Sequence, residues 1–527
     1  ILNNGDAHGG WVPKHNPWLV ALTVTIATFM EVLDTSIANV SLPHIAGSLS
    51  ASVDESAWVL TSYLVANAVS LPLSAWISDR VGRKRFYMTC VMLFTVSSLL
   101  CGLSTSLPML IFFRVLQGIG GGGLAPSEQA ILADTFPARL RGAGFAMYGM
   151  AVVLAPAIGP TLGGYITDHY SWHWIFFINI PVGIFSLFLS SVMVEDPPHV
   201  LESMKRTAGN PVDFMGFGLI ALGLGSLEVV LDKGQEDDWF SSTFIIVFGV
   251  LAVIGLAYFV VWEWNEEHPI LELRLLKNRN FAVANVMMLV LGAILFGTTV
   301  LIPQYLQTVM GYTAENAGMV LSPGGFTVML CMPIVGQLVS RVDARILIGF
   351  GFLVLFVALL NMSHIYPGID FHTATLYRVY QSVGLAFLFV PINTISFVNI
   401  RPSQSNQVSA MVNLCRNLGG SIGISALSTM LVRRQQVHQT YLAARAAGAP
   451  LENALMGART ILFHAGSAMP DATLQANGQI YGSLLQQATA LAYIDVIRVF
   501  AVACAVAIPL LLLARRNKAG GAAAMAH

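Results

Sequence analysis

Arg114-Val115-Leu116-Gln117-Gly118 is echoed 264 residues later by Arg378-Val379-Tyr380-Gln381-Ser382. Each segment lies in a long apolar run, 108–132 and 375–398, and each puts a guanidinium and an amide three residues apart inside it. Two weaker echoes keep nearly the same offset. Ile77-Ser78-Asp79-Arg80-Val81 is matched by Val339-Ser340-Arg341-Val342-Asp343, with arginines 261 apart, and Pro43 by Pro303, 260 apart. Three echoes at one offset imply two similar halves. Parallel repeats about an axis along the membrane normal are a transporter architecture, with the binding site between the halves.

The composition places those halves in a membrane. Of 527 residues only 10 % are charged and 55 % are hydrophobic, against about 25 % charged in a soluble protein. At about 20 apolar residues per crossing the chain can supply about fourteen spans. The net charge of −1 implies no polyanionic partner, and disorder or a secreted disulfide scaffold is excluded. Cys90, Cys101, Cys331, Cys415 and Cys504 sit singly in apolar runs and read as small buried hydrophobes. The first apolar run, about 22 residues, exceeds a signal-peptide core and reads as a retained span.

The expected fold is an all-α membrane protein of fourteen transmembrane helices. They fall near 18–40, 57–78, 86–105, 108–132, 143–166, 172–194, 212–232, 241–263, 281–303, 316–339, 346–364, 375–398, 407–431 and 493–514. This gives an N-terminal six-helix half (18–194), two inserted helices (212–263) and a C-terminal six-helix half (281–514) that includes an outer loop, 432–492. With both termini cytoplasmic, eighteen of the 27 Lys and Arg residues fall in inner segments, from Lys14 and the Arg80–Arg85 cluster to Arg515, Arg516 and Lys518. The outer segments hold Lys233 and four arginines of the 432–492 loop, and long loops are largely exempt from the charge rule. That loop reads as one or two helices outside the bilayer, either a solvated cap or a gate or docking surface.

Two segments carry conformational chemistry. Asp79-Arg80-Val81-Gly82-Arg83-Lys84-Arg85 is a tight turn between spans, with Gly82 free of Cβ restrictions and an acid able to pair with a neighbouring base. Ala155-Pro156-Ala157-Ile158-Gly159-Pro160-Thr161-Leu162-Gly163-Gly164 would break a soluble helix. In a membrane, neighbouring helices satisfy the freed backbone groups and small residues permit close packing.

The loop at 79–85, Arg114 with Gln117-Gly118, and Gly159-Pro160 with Gly163-Gly164 resemble three signature motifs of the drug/proton antiporters of the major facilitator superfamily. Leu33-Asp34-Thr35-Ser36-Ile37-Ala38-Asn39-Val40 resembles the first-helix motif of its fourteen-span branch. Leu231-Asp232-Lys233-Gly234, Asp238-Trp239-Phe240-Ser241-Ser242 and Phe176-Phe177-Ile178-Asn179 with Pro181 are similar to multidrug exporters of that branch. The loop motif departs from the pattern at Ala75, where Gly is usual. The resemblance implies that Pro156, Gly159, Pro160, Gly163 and Gly164 form the antiporter motif and that Asp79, Arg80, Gly82 and Arg83 form a latch. It also implies a secondary active transporter in a bacterial inner membrane, working with a periplasmic adaptor and an outer-membrane channel to export hydrophobic small molecules.

Charges inside the hydrocarbon default to function. The candidates are Glu31, Asp34, Arg114, Glu128, Arg378 and Arg416. Asp34 and Arg114 lie about 9 Å from the outer ends of their expected spans, and Glu31 shares a helix face with Asp34. A buried carboxylate beside an arginine responds to desolvation and to that charge in opposite senses, so relative motion of the halves can load and unload a proton. Asp34 is expected to carry it, with Arg114 tuning it and Glu31 and Glu128 assisting; the alternative is a structural pair. Tyr63, Asn67, Gln117, Gln304, Tyr305, Gln307, Asn393, Asn413 and Asn417, with Arg378 and Arg416, are candidates to line a substrate cavity, although singly each suits a helix–helix contact equally.

Gly118-Ile119-Gly120-Gly121-Gly122-Gly123 matches a dinucleotide fingerprint only in letters, since no strand precedes it. None of the six lysines follows a Gly, so there is no Walker A loop. No cofactor and no metal site is expected, and energy has to come from an ion gradient. A dedicated exporter of one endogenous compound, such as a siderophore or lipid, remains an alternative. A membrane-embedded enzyme is another, but His268 and His364 stand alone.

Overall fold

The computed structural model describes residues 13–515 except 138, 208, 210, 466 and 467; Arg516 and Lys518 of the inner basic set lie outside the described residues. The regular structure among them is helical throughout. In chain order the helices are α1 (Pro17–Ser48), α2 (Val53–Val81), α3 (Arg83–Gly102), α4 (Leu107–Gly121), α5 (Leu124–Thr135), α6 (Arg141–His169), α7 (Trp174–Phe177), α8 (Asn179–Met193) and α9 (Pro198–Thr207). There follow α10 (Phe214–Lys233), α11 (Thr243–Asn265), α12 (Arg279–Thr308), α13 (Ala314–Leu338), α14 (Ala344–Met362), α15 (Phe371–Ser396), α16 (Ser405–Ala446), α17 (Ala449–His464) and α18 (Met469–Leu510).

Short polar side chains start these helices by capping free amides. Asn16 accepts from the Trp18 N–H, with Pro17 opening the helix. Ser52 and Glu55 form a reciprocal capping box at α2. The side chains of Asp213, Asn278, Thr313, Asp343 and Asp370 accept from first-turn N–H groups of α10, α12, α13, α14 and α15. Thirteen helical stretches are long and apolar enough to cross a bilayer. On α11, Val250, Val253, Tyr258 and Val261 are all exposed, a face suited to lipid rather than water.

The neighbour pattern repeats. In the first half α1 packs on α6, α2 on α4, and α3 on α4 and α8; in the second α12 packs on α16, α13 on α15, and α14 on α15 and α18. The halves meet along α6–α13 and α2–α16. At one end of the α6–α13 seam a Cβ on Gly142 would lie 3.0 Å from the Gly336 carbonyl, so the two backbones touch. The inserted α10 and α11 pack on each other, and α10 leans on α2 and α16.

Several expected boundaries are corrected. The fourth span is two helices, α4 and α5, broken at Gly122-Gly123, where lost Cβ contacts and backbone freedom weaken the helix. The sixth is α7 and α8, with its break at Ile178. The thirteenth, 407–431, is the first part of α16, which carries too many polar residues to count as apolar by itself. The first span does not stop at 40. Ser41 and His44 end the apolar run without breaking the helix, and α1 continues past Pro43 to Ser48.

The 432–492 segment is not a loop carrying separate helices. It is the continuation of α16, then α17, then the first half of α18. With no Gly or Pro between Gly423 and Gly448 and many Ala and Gln residues, nothing stops α16 where its apolar stretch ends. Each long helix has 42 residues, about 63 Å at 1.5 Å per residue, or roughly twice a hydrocarbon core. Arg434 Nε donates to Asp495 at 2.6 Å, Gln435 bonds Thr489 at 2.9 Å and Gln439 bonds Tyr481 at 3.1 Å, tying the two extensions together.

Candidate functional site

Asp34 sits in the middle of α1, because the helix runs eight residues past the expected end. It is buried, and so is Arg114 of α4. Arg114 Nη1 donates to Asp34 Oδ2 at 2.6 Å. Gln117 Nε2 at 3.0 Å and Asn179 Nδ2 at 2.6 Å donate to Asp34 Oδ1. Arg114 is held in turn by the Val59 carbonyl at 3.1 Å and by Gln117 Oε1 at 2.8 Å, and it lies 4.3 Å above the Tyr63 ring. Arginine, glutamine and carboxylate thus come from α4 and α1, and the clamping amide from α8. Gln117, expected to line a cavity, belongs to this charge centre.

Glu31, one turn earlier, points to the same side but has different partners. It accepts from Tyr63 Oη at 3.0 Å and Asn67 Nδ2 at 3.2 Å, both neutral donors on α2. Asn67 Oδ1 accepts from Asn417 Nδ2 of α16 at 3.3 Å, carrying the connection across the seam between halves. Asn417 Oδ1 takes a long bond from Arg416, which also donates to the Tyr148 hydroxyl. Tyr148 donates to Asn413 at 2.7 Å, Asn413 donates to Gln129 at 2.8 Å, and Gln129 donates to Asn393 at 2.7 Å. Six of the expected cavity residues (Tyr63, Asn67, Asn393, Asn413, Arg416 and Asn417) are therefore links of one polar network joining the halves. Glu128 accepts from Thr25 Oγ1 at 2.6 Å, leaving its second oxygen unbonded.

The other expected cavity residues lie elsewhere. Tyr305 packs on Tyr493, with ring centroids 5.2 Å apart, and Gln304 and Gln307 are exposed near the end of α12. Arg378 repeats the Arg114 arrangement. Its Nη1 donates to Gln381 Oε1 at 2.8 Å, and Gln381 Nε2 donates to Thr298 Oγ1 at 2.6 Å. Thr298 stands 264 residues after Asp34, the offset that separates the arginines and glutamines. The second half thus keeps the frame and replaces the carboxylate by a hydroxyl.

The antiporter-like segment positions Asp34. Pro156 and Pro160 lie inside α6 without ending it. Gly159 faces Ser36, and a Cβ on Gly163 would lie 3.0 Å from Ile37 Cγ2 and 3.2 Å from Ile37 Cα. These glycines let α6 lie against α1 just beyond Asp34, whereas the Gly164 carbonyl accepts from Thr167 within α6. On its other side Thr161 meets Gly318 of α13. One helix, α6, thus touches both α13 and the stretch of α1 that carries Asp34.

The 79–85 loop bridges the halves at one end. Gly82 has φ +96°, as the turn requires. Arg83 is buried and donates to Asp134 at 2.5 Å, the Ala130 carbonyl at 3.0 Å, Asn406 Oδ1 at 2.8 Å and Ser405 Oγ at 3.0 Å. Asn406 Nδ2 donates back to Asp79 Oδ1 at 2.6 Å. Arg80, beside this bridge, stacks over Trp76 at 4.9 Å. Beside it is a cavity of about 470 Å³, lined by Asp79, Arg80, Arg206, Glu272, Arg274 and Arg401 among others.

Sequence reasoning gave Asn179 no role beyond its place in a motif and missed Gln129, Tyr148, Ser405 and Asn406, which are polar but uncharged within apolar or linker stretches. It also passed over buried Glu228 and Glu263, whose position inside the seventh and eighth apolar runs was a usable signal. Glu228 accepts from Ser421 Oγ of α16 at 2.6 Å, and Asp232 accepts from Thr61 of α2. The inserted α10 is thereby bonded to one helix from each half.

The family profile of the Major Facilitator Superfamily matches residues 24–424. The chain is 39 % identical to the multidrug export protein EmrB of Escherichia coli (strain K12) over 433 residues, 82 % of this chain and 83 % of that protein. It is 38 % identical to the fatty acid resistance protein FarB of Neisseria gonorrhoeae over 424 residues, 80 % and 82 % of the two chains. The human organic anion transporter MFSD10 (TETRAN) superposes with a TM-score of 0.59 at 13 % identity, covering 94 % of this chain and all of that one.

Proposed function

This chain belongs to the major facilitator superfamily as an EmrB-type transporter rather than an enzyme, and we propose that it is a proton-driven antiporter of hydrophobic drugs and toxins. The observation that carries the reading is the buried Asp34–Arg114 pair, beside the stretch of α1 on which the α6 glycines pack. Ionised Asp34 satisfies three donors. A proton on it removes the ion pair and turns one acceptor oxygen into a donor. That frees Arg114 and weakens the contact among α1, α4 and α8. Breaking a buried ion pair costs about 3–5 kcal/mol. A proton gradient delivers about 2.3 kcal/mol per charge per 100 mV, the same order. Glu31, bonded to neutral donors and one bond from Asn67–Asn417, reports the proton state to the seam. The Arg83–Asn406–Asp79 bridge is the contact that breaks and re-forms at the other end.

The distribution of basic residues supports a cytoplasmic placement of that bridge and of both termini in an inner membrane. The α16–α18 extension on the opposite side supplies a surface for a periplasmic adaptor of the EmrA type, itself joined to an outer-membrane channel. The name of the gonococcal relative supports a narrower reading, export of one lipid-like compound; protection against chemically unrelated toxins separates the two. The direct test is dye transport in inside-out membrane vesicles, with and without the adaptor. Uptake abolished by an uncoupler is expected; uptake indifferent to the gradient defeats the proposal.

A further inference from the structure

Arg378 is a buried cation with no anionic partner among the described residues. It is 1 % exposed, and among the described residues no carboxylate lies within ion-pair distance of it. An arginine does not escape by losing its proton. Its counterpart Arg114 has Asp34, but the matching position on α12 is Thr298.

The unmet hydrogen-bonding capacity includes one edge of the guanidinium. Nη1 is engaged by Gln381 at 2.8 Å, Nη2 has only a 3.5 Å contact with Thr299, and Nε has no partner. Nε–H and Nη2–H point the same way and form the fork that receives both oxygens of a carboxylate. Next to it Ser382 Oγ, also buried, has no partner. The edge is covered by α13 at Gly324. A Cβ there would lie 2.7 Å from both Arg378 Cγ and Ser382 Oγ, and 3.3 Å from Nε. The next residue, Gly325, packs on Leu154 and Ala157 of α6. The helix that covers the fork is therefore also the one packed against α6 of the other half.

We propose that Arg378, with Ser382, is a receptor for the carboxylate of an amphiphilic anion, uncovered when α13 swings away from α15. The apolar part of such a molecule lies along the seam, and its headgroup completes the pair that Asp34 completes for Arg114. This rests on the export reading above and narrows its substrates to a class in which carboxylates are bound by a dedicated group.

The test uses the full chain purified into proteoliposomes, with dansyl-undecanoate as the carboxylate probe and ethidium as a cationic one. Arg378→Gln is expected to raise the half-saturating dansyl-undecanoate concentration at least about tenfold, as loss of a bidentate charged contact does, with ethidium transport within about twofold of wild type. Arg378→Lys, charged but without the fork, should fall between. Equal losses for both probes, or no change for the carboxylate, overturn the proposal. If wild type transports neither probe under a proton gradient, the export reading has failed. The receptor is then judged by titrating dansyl-undecanoate fluorescence on the detergent-purified protein, where equal affinity in wild type and Arg378→Gln refutes it. Should Arg378→Gln not fold, Arg378→Lys takes its place in that titration, and wild-type affinity again refutes it.

Discussion

Replacing Asp34 by Asn changes little in volume and much in charge. Three donors converge on the carboxylate, from Arg114 at 2.6 Å, Asn179 at 2.6 Å and Gln117 at 3.0 Å. The amide offers one acceptor oxygen and turns its own N–H groups toward those donors. Arg114 keeps the Val59 carbonyl, Gln117 and the Tyr63 ring, but it is fully buried and loses its carboxylate partner Asp34. Removing one partner of a buried pair costs about 3–5 kcal/mol, or roughly two to three and a half decades in an equilibrium at 1.4 kcal/mol per decade. Part of that cost falls on every conformation and lowers thermal stability; the rest removes the proton-dependent step. Asp34→Asn should therefore lose gradient-driven dye accumulation in proteoliposomes by at least about a hundredfold. Exchange of dye across the membrane without a gradient should persist, since the protein still alternates. A folded Asp34→Asn protein that accumulates dye within about twofold of wild type would refute the assignment of Asp34 as the proton carrier.

Three further outcomes follow from the packing. Asn406→Ala strips a partner from both Asp79 and Arg83, at about 1–3 kcal/mol for unsatisfied buried groups; spin labels at positions 85 and 401 should move apart in distance measurements, and an unchanged distribution contradicts the latch. Gly163→Val drives its side chain into Ile37 and should lower the unfolding temperature and transport together, as overpacking by about 1–3 kcal/mol does, whereas Gly47→Ala, with open space around it, should be neutral or better. Tyr148→Phe keeps the ring against Phe389 but removes the hydroxyl shared by Arg416 and Asn413; a lower unfolding temperature is expected, and no change means the cross-seam network contributes little.

The two-half architecture was readable because an arginine and a glutamine cannot stand unexplained in an apolar run, and the same pair recurred at one offset. The structure turned that offset into geometry by placing Thr298 where Asp34 is expected. Helix ends were less legible. Apolar content marks where a chain can sit in lipid, but helices end at caps and breakers, so α1 ran past Ser41 and α16 past Leu431 into the 432–492 segment. Within the site, charged members stood out and their neutral partners did not. Asn179, Gln129 and Tyr148 acquire a role only from neighbours brought in from distant segments. The distribution of polar residues along one helix cannot say whether they line a cavity or bond across a seam, and here most of the candidates bond.

The central claim is that drug and proton move in opposite directions on this one chain. The measurement is made on proteoliposomes of the purified protein loaded with a pH-sensitive dye, with a substrate gradient as the only driving force. Substrate flowing in should drive protons out, with the internal pH rising in wild type and holding steady in Asp34→Asn. Substrate flux with no change in internal pH, or with protons moving in the same direction, would contradict the account.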